Sequence, residues 1–403
     1  MTTKSDKNSQ SLFTKTALLL VSTLTVMSGA TISPSLPAMQ DYFSEVNNAE
    51  FWVRLVLTIP ALAIVIGSPI AGQIVDSIGR KPLLMASTAL YGLGGASGFI
   101  LDSLFAILAG RALLGLAVAG VMVSATTLIA DYYQGDARAN FMGLQAAFMG
   151  FGGVVFLSVG GYLADRNWRL PFLIYLFAWI LLPLIIFSLY EPNRIEDGNE
   201  SNTNSTLSAF PIKMLVLIYA SVLLMQIVFY LIPVQLPFYL RSLTGASASQ
   251  SGLAIAFATL FSALASMVYG KVKQRLSFIV ILAFGLALMG GGNIIIGLAI
   301  DYPVILVGLV ITGIGLGLLT PNLNVWLSKE IPDRLRGRAL GGLTTFMFLG
   351  QFLSPIATQP LNNSYGSAAT YGIAGVILAV LGFLFWSGQK RVCHFISSTA
   401  GRT

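Results

Sequence analysis

The segment Gly72-Gln-Ile-Val-Asp76-Ser-Ile-Gly79-Arg80-Lys81-Pro82 decides the fold, because it is a short charged turn between two long apolar stretches. Residues 55–75 and 82–101 carry no charge, and each matches the roughly 20 apolar residues with which a helix crosses a bilayer. Two membrane-spanning helices joined at one membrane face are therefore predicted. Glycine permits a tight turn there. The single acid of the turn lies beside two basic residues, so the turn can act as an electrostatic latch.

The composition is typical of an integral membrane protein. Of 403 residues, 55% are hydrophobic and only 10% are charged, whereas a soluble domain carries about 25% charged residues. The net charge of +7 does not indicate nucleic-acid binding, because basic residues of membrane proteins collect in cytoplasmic loops. One cysteine, Cys393 beside His394, excludes a disulfide framework within the chain. We expect a lipid bilayer around the protein, and no cofactor, metal or nucleic-acid partner.

Stretches without charge predict the number of spans. A final stretch, 339–389, is long enough for two helices and contains a break at Gln359-Pro-Leu-Asn-Asn-Ser-Tyr-Gly366. Backbone groups in lipid must be satisfied internally, so the spans are helices, and an all-α fold with 12 transmembrane helices is predicted. The other predicted spans are 16–40, 55–75, 82–101, 103–130 (interrupted by Arg111), 139–164, 170–190, 214–240, 242–270, 276–300 and 302–328.

The basic residues orient these spans. An even number of spans puts both termini on one side, and a cytoplasmic N-terminus leaves only Arg54, Arg166, Arg169 and Arg241 in outside segments. The excess of positive charge inside therefore predicts that both termini are cytoplasmic. We expect the protein in the inner (cell) membrane of a bacterium.

The longest hydrophilic segment divides the chain. Residues 191–210 contain few apolar residues and are interpreted as a flexible cytoplasmic linker. The linker separates an N-terminal six-helix bundle, 1–190, from a C-terminal six-helix bundle, 211–389, and a cytoplasmic tail, 390–403, follows.

Residues on either side of the linker repeat. Arg138 and Gly143 recur at the same spacing as Arg336 and Gly341. Such a repeat predicts two pseudo-symmetric bundles around a site near the membrane midplane, an arrangement common in transporters.

The opening segment resembles the signature G-x-x-x-D-x-x-G-R-K of the major facilitator superfamily, which marks the loop between its second and third helices. Ser77 stands where that signature often has a basic residue. The resemblance covers nearly the whole chain, and it implies two six-helix bundles that rock about a midplane site. The matching residues are Gly72, Asp76, Gly79, Arg80 and Lys81.

The same resemblance implies a conformational latch. Asp76 would dock against the start of the eleventh helix, near Arg338, when the cavity faces outward, and an acid at a helix N-terminus is stabilised by about 0.3–1 kcal/mol. The alternative is an aspartate that only caps its own turn. The residues predicted for the latch are Gly72, Asp76, Gly79, Arg80, Lys81, Asp131, Arg138, Arg336 and Arg338.

Arg111 is the only charge deep inside a span, and such a charge normally faces a cavity or a partner. The run Arg111-Ala-Leu-Leu-Gly115 resembles the fourth helix of the drug–proton antiporter branch, which implies that Arg111 and Gly115 take part in proton or substrate coupling. The alternative is an arginine that binds carbonyls or extends to the membrane surface. No acid lies at mid-membrane, so proton coupling would use Asp41, or Asp76 together with Asp131.

The fifth predicted span departs from that branch. Phe156 and Leu157 stand where its motif has Gly-Pro, which leaves facilitated movement or symport open beside exchange. Gly152, Gly160 and Gly161 are interpreted as helix-packing positions.

A substrate cavity is predicted from the few polar groups near the midplane and the flexible or aromatic residues around them, a lining that suits an amphiphilic or lipophilic solute. The predicted lining residues are Met27, Thr31, Gln226, Phe229, Tyr230, Phe346 and Gln351.

We therefore expect a secondary active transporter and not an enzyme. It would export a small amphiphilic or lipophilic compound (drug-like efflux) by alternating access, in exchange for protons. The alternatives are export of a specific metabolite such as a sugar, amino-acid derivative or siderophore, and a proton-independent facilitator or uptake carrier. The expected partners are a small-molecule substrate, protons and the lipid bilayer, and we expect a monomer. An enzyme would need acid, histidine or nucleophilic groups converging within the membrane, and the sequence offers none.

Overall fold

The computed structural model describes residues 11–192 and 212–389, and every regular element within these ranges is helical. Eleven helices there are long and apolar enough to cross a membrane, which confirms the predicted all-α class. The predicted tail and most of the predicted linker lie outside the described residues. The helices are Leu12–Tyr42 (α1), Ala49–Ile78 (α2), Arg80–Ile100 (α3), Leu104–Tyr132 (α4), Gly135–Ala164 (α5), Leu170–Ser188 (α6), Ile212–Thr244 (α7), Ala248–Lys273 (α8), Phe278–Gly297 (α9), Tyr302–Glu330 (α10) and Asp333–Ser387 (α11).

Helices α1 and α7 are interrupted at related positions. Helix α1 consists of Leu12–Ala30, a 3-10 turn at Ser33–Ser35 and a short helix, Leu36–Tyr42. Helix α7 consists of Ile212–Phe229 and Leu231–Thr244. Prolines lie in the first turns after both interruptions, where a missing N–H costs nothing. Helix α6 likewise begins with a 3-10 segment, Leu170–Leu176, before Phe177–Ser188.

Helix α11 is two helices joined at Gly366. A straight helix of 55 residues would be about 80 Å long, far beyond a hydrocarbon core of about 30 Å. Gly366 alone leaves helical geometry, with φ +80° and ψ 170°, a conformation that glycine adopts without steric cost. The break predicted over 359–366 is therefore wrong in extent: the chain stays helical through Tyr365 and turns only at Gly366.

Two main hydrophobic clusters hold the helices together. One consists mostly of residues from α1–α6 and the other mostly of residues from α7–α11. A few residues cross over: Tyr230 and Val234 pack in the first cluster, and Leu157 packs in the second. The two groups of helices meet mainly where α5 packs against α8 and where α2 packs against α11.

Glycines set how closely the helices approach. A Cβ at Gly115 of α4 would press on the Pro60 carbonyl of α2 and lie 2.7 Å from the Ala63 Cβ. A Cβ at Gly161 of α5 would lie 2.7 Å from the Ala248 carbonyl oxygen of α8. Small residues let backbones come into contact in this way, and contact replaces the hydrophobic effect that lipid-facing helices lack.

We predict that Gly115→Ala destabilises the fold and that Gly270→Ala does not. The new methyl group at Gly115 has no room, and overpacking of this kind costs about 1–3 kcal/mol. A Cβ at Gly270 of α8 would meet no atom within 4 Å, and alanine favours a helix by about 0.5–1 kcal/mol over glycine. Thermal unfolding of the two purified variants in detergent measures the difference. Equal melting temperatures would contradict the close contact between α2 and α4.

Candidate functional site

The helices end at two opposite faces of the protein, the linker face and the far face. The linker face carries the turn at Gly79 between α2 and α3, together with Ser188 and Ile212, the ends of α6 and α7 nearest the linker. The far face carries Ser33–Ser35 and the connection from α7 to α8.

A central cavity of about 330 Å³ lies between the two groups of helices. Its lining residues come from α1, α2, α4, α5, α7, α8, α10 and α11, and none of them is acidic or basic. The polar lining groups are hydroxyls and carboxamides, including those of Thr31, Gln226 and Gln351. The Gln226 Oε1 atom is buried and has no hydrogen-bond partner.

The structure places five of the seven predicted cavity residues on this lining: Thr31, Gln226, Phe229, Tyr230 and Gln351. The other two lie elsewhere. Met27 is fully buried in the first hydrophobic cluster, and the Phe346 ring stacks on Tyr219 with ring centroids 5.0 Å apart. Each of these two side chains packs within its own bundle, and their predicted role in the cavity stays a prediction.

Arg111 is fully buried behind the cavity wall. Its Nη2 donates to the Ser28 carbonyl at 2.8 Å, and its Nε donates to the Val56 carbonyl at 3.0 Å. Its guanidinium carbon lies 5.1 Å from the centre of the Tyr175 ring. Arg111 therefore binds backbone carbonyls and does not extend to the membrane surface. The role of Arg111 in coupling stays a prediction. Gly115, one turn further along α4, makes the packing contact with α2 described above.

The remaining predicted packing glycines lie at helix contacts. A Cβ at Gly152 would lie 3.1 Å from the Thr23 side chain of α1, and one at Gly160 would press on the Thr31 carbonyl. Together with Gly161, they bring α5 against both α1 and α8.

The turn at the linker face is held by a residue that the sequence pattern assigned to the linker. Glu191 accepts the backbone N–H groups of Arg80 at 2.8 Å and Lys81 at 2.7 Å, which begin α3. A carboxylate at a helix N-terminus satisfies free donors and complements the helix dipole. Gly79 has φ +101°, and a Cβ there would lie 2.6 Å from the Glu191 Oε1 atom. Both facts require glycine at this position.

The basic side chains of the turn also bind within the first bundle. The Arg80 Nε atom lies 3.0 Å from the Asp131 Oδ2 atom at the end of α4. The Lys81 Nζ atom donates to the carbonyls of Ile186 and Leu189, at 2.8 Å and 2.7 Å, where α6 ends. The turn therefore ties the ends of α3, α4 and α6 together.

The other predicted latch residues also lie at the linker face. Asp76, Arg138 and Arg338 are exposed, and Arg336 is half-buried. A Cβ at Gly72 or Gly341 would meet no atom within 4 Å, and the same holds at Gly143 and Gly270 on α5 and α8. There is therefore open space beside these four positions. The docking of Asp76 near Arg338 stays a prediction.

The far face is closed by a polar cluster centred on Arg54. Its side chain is only 2% exposed, although the sequence pattern predicted an outside segment at this position. Arg54 donates to the Gln235 Oε1 atom of α7 at 2.9 Å and pairs with Glu50 at 3.2 Å. Gln359 of α11 joins the cluster by donating to the Glu50 Oε1 atom at 2.6 Å and accepting from Gln235 at 2.9 Å. The Arg54 guanidinium also covers the Phe238 ring at 4.2 Å.

Further contacts between the bundles lie at the same face. Asp41 pairs with Arg241 at 2.7 Å across the bundles, and the backbone N–H of Ser249 donates to Asp165 at 3.2 Å. Ser33 donates to the Pro233 carbonyl. These contacts join the two bundles at the far face.

Long apolar helices around a central cavity, joined by polar contacts at the far face, are the architecture of an integral membrane transport protein. The family is given by the sequence: the model of the Major Facilitator Superfamily matches residues 18–243 and 218–392. The chain therefore belongs to the major facilitator superfamily and is a transporter of that family.

Known relatives are similar over most of the chain. Tetracycline resistance protein, class H, of Pasteurella multocida is 23% identical and covers 90% of this chain and 92% of its own. Quinolone resistance protein NorA of Staphylococcus aureus is also 23% identical and covers 88% and 92%. These relatives confirm the resemblance to the drug–proton antiporter branch. The crystal structure of a D-xylose-proton symporter has the same fold, with a TM-score of 0.78, 16% identity and coverage of 93% of this chain and 97% of that chain.

Sequence reasoning missed the far-face cluster and the role of Glu191. Arg54 lies just outside a charge-free stretch, a position that predicts a loop, yet α2 begins at Ala49. The spacing of Glu50 and Arg54, four residues apart, was the available signal for a helical pair. Gln235 and Gln359 carried no such signal, because only the tertiary fold brings them together.

We predict that Glu191→Gln loosens the first turn of α3. The substitution removes the charge and one of the two acceptors, while the two N–H donors remain. Hydrogen exchange in the peptide that contains Arg80 and Lys81 should become roughly tenfold faster, the equivalent of about 1.4 kcal/mol of lost protection. Glu45→Gln, which removes an exposed acid at the far face, is the control and should leave that peptide unchanged. Unchanged exchange in Glu191→Gln would argue against this cap.

We predict that Gln235→Leu opens the far face. The change leaves the buried Arg54 Nε donor without its acceptor, and a hydrogen bond to a charged group is worth about 1.5–3 kcal/mol. The readout is alkylation of Ser35→Cys by a membrane-impermeant maleimide, in a background in which the single native cysteine is replaced by Cys393→Ser. Ser35 is 1% exposed, so labelling requires opening, and it should rise at least severalfold. Asn47→Leu, on the exposed far-face loop, is the matched control. Equal labelling in both variants would show that the cluster does not hold the face closed.

Proposed function

We propose that the protein exports a small amphiphilic or lipophilic compound by alternating access, in exchange for protons. The observation that carries this proposal is the uncharged cavity between the bundles, with polar contacts that join the bundles at the far face. A solute would then enter the cavity from the linker face. The drug-resistance names of the relatives favour efflux of drug-like compounds over uptake.

The orientation is part of the proposal. We propose 12 spans, with the two helices of α11 counted separately, and both termini in the cytoplasm of a bacterial cell. The linker face is then cytoplasmic, as the basic residues of the linker-face turn favour, and the contacts that join the bundles at the far face favour an inward-facing state. Six helices lie on each side of the linker, so residues 1–190 and 211–389 are the two rocking bundles.

The latch and the far-face contacts have opposite parts in this cycle. When the cavity turns outward, the Arg54 cluster and the Asp41–Arg241 pair must separate, and the linker-face ends of α2 and α11 must meet. We propose that Asp76 then docks near Arg338. The pairing of Arg80 with Asp131 keeps the turn rigid in both states, because it lies within one bundle.

Asp41 is the best candidate for proton coupling. Its ion pair joins the two bundles, whereas Asp131 is paired within its own bundle. The Asp41 side chain is 59% exposed, so a proton from the far face can reach it. Protonation would remove the charge that holds Arg241 and would favour opening of that face. Arg111 would then link the cavity to this change through the carbonyls of α1 and α2.

Export of a hydrophilic metabolite is the second candidate. The carboxamides of Gln226 and Gln351 on the lining favour it, because they can hydrogen-bond to hydroxyl or amide groups of a sugar or an amino-acid derivative.

We predict that purified protein in liposomes with an internal pH dye moves protons when a transported compound is added. Lipophilic drugs, sugars and amino-acid derivatives are tested in turn, and proton movement opposite to the solute is expected for an amphiphilic compound. Asp41→Asn should abolish the proton movement. Asp102→Asn breaks a far-face pair with Arg169 within one bundle and is the matched control.

The outcomes separate the candidates. Solute flux without proton movement makes the protein a facilitator. Flux only of sugars or amino-acid derivatives favours the metabolite exporter. Absence of flux for every class contradicts the proposed function.

A further inference from the structure

The charge buried near the central cavity is positive only. None of the residues that line the cavity is acidic or basic, and all sixteen acids of the chain lie in tails, connections or helix ends. One full positive charge, that of Arg111, is buried within the membrane-spanning part of the first bundle. The field that a solute meets in the cavity is therefore set by a cation without a countercharge nearby.

Arg111 is held by neutral groups. Its two hydrogen bonds go to the carbonyls of Ser28 and Val56, and its aromatic neighbour is Tyr175. The Nη1 atom is buried and has no hydrogen-bond partner. Carbonyl dipoles solvate a guanidinium but do not cancel its charge, and the field of a buried charge is poorly screened.

The guanidinium is one layer away from the solute. Ser28, whose carbonyl accepts from Arg111, itself lines the cavity, and so does Leu57, the residue after Val56. No further helix therefore lies between the guanidinium and a solute on this wall, and the charge acts on the solute.

The interruptions of α1 and α7 do not offset this charge. The C-terminus of a helix carries a partial negative charge, which would favour a cation. At each interruption, however, a new helix begins within a few residues: α7 ends its first part at Phe229 and resumes at Leu231. The negative end of one helix and the positive end of the next lie together, so their fields largely cancel.

We propose that the cavity selects amphiphiles that carry a negative charge, such as carboxylates, and rejects lipophilic cations of the same shape. This inference rests on the proposed transport of amphiphiles and adds the sign of their charge. The anion would lie with its apolar part against Phe229 and Tyr230 and its charged end towards Ser28, where Arg111 attracts it. The carboxamide of Gln226 can turn its N–H groups towards the anion.

An aromatic lining offers the competing possibility. The faces of aromatic rings attract cations, and Phe156, Phe229, Tyr230 and Phe348 all line the cavity. The two possibilities predict opposite charge preferences for the same cavity, so one measurement separates them.

The test uses three probes with one ring system: 1-naphthaleneacetate, 1-naphthaleneacetamide and 1-naphthylmethylammonium. Their binding to the purified full-length protein is measured by naphthalene fluorescence in a non-ionic detergent at mildly alkaline pH, with protein-free micelles as the blank. We expect the anion to bind at least roughly tenfold more tightly than the cation, with the amide between them.

Three variants test the residues. Arg111→Gln should reduce the preference for the anion to near unity. Gln226→Glu keeps the size of the side chain and should reverse the preference, which keeps the test decisive if Arg111→Gln does not fold. Arg166→Gln removes one positive charge at the exposed far face and should leave the preference unchanged.

Three results would contradict these expectations. Cation binding as tight as anion binding in the unaltered protein overturns this inference and leaves the exporter proposal intact. If none of the three probes binds, the result counts against both this inference and the exporter proposal. An unchanged preference for the anion in Arg111→Gln would show that Arg111 does not cause that preference.

Discussion

The absence of water from the hydrocarbon core is the constraint on which the rest of this structure depends. Backbone groups there must pair within the protein, which leaves helices as the elements and glycine contacts as the means of packing them. The same constraint explains Arg111. A guanidinium that cannot reach water takes the carbonyls of Ser28 and Val56, and thereby joins α4 to α1 and α2 at the wall of the cavity.

The polar contacts fall into two groups with different consequences. Those of Arg80, Lys81 and Glu191 lie within the first bundle, so they can persist while the bundles move. Those of Arg54 and Asp41 join one bundle to the other and must break when the far face opens. Charged and polar groups suit this second role, because water can replace their lost partners on opening, whereas exposed apolar surface would have no such compensation.

Several features of the fold follow directly from the sequence, and others do not. Charge-free stretches located the helices, because a span is defined by composition alone. They failed at Arg54, where a charge within α2 is satisfied by Glu50 of its own helix and by Gln235 from the other bundle. Glu191 was missed for the same reason: a hydrophilic residue after a span resembles linker until the fold brings it to the start of α3. The cavity residues Thr31, Gln226 and Gln351 stood out as rare polar groups, whereas Met27 and Phe346 could not be distinguished from packing residues.

Arg111 would connect the two ends of the proposed cycle to the solute. Its carbonyl partners lie on α1 and α2, and α1 and α2 also carry Asp41 and Arg54 to the far face and Asp76 to the linker face. A displacement of either helix changes the distance between the guanidinium and the cavity wall, and hence the field that the solute experiences. A charge held by backbone carbonyls can respond to helix movement in this way, whereas a charge fixed in a tight ion pair with its own helix would be insensitive to it.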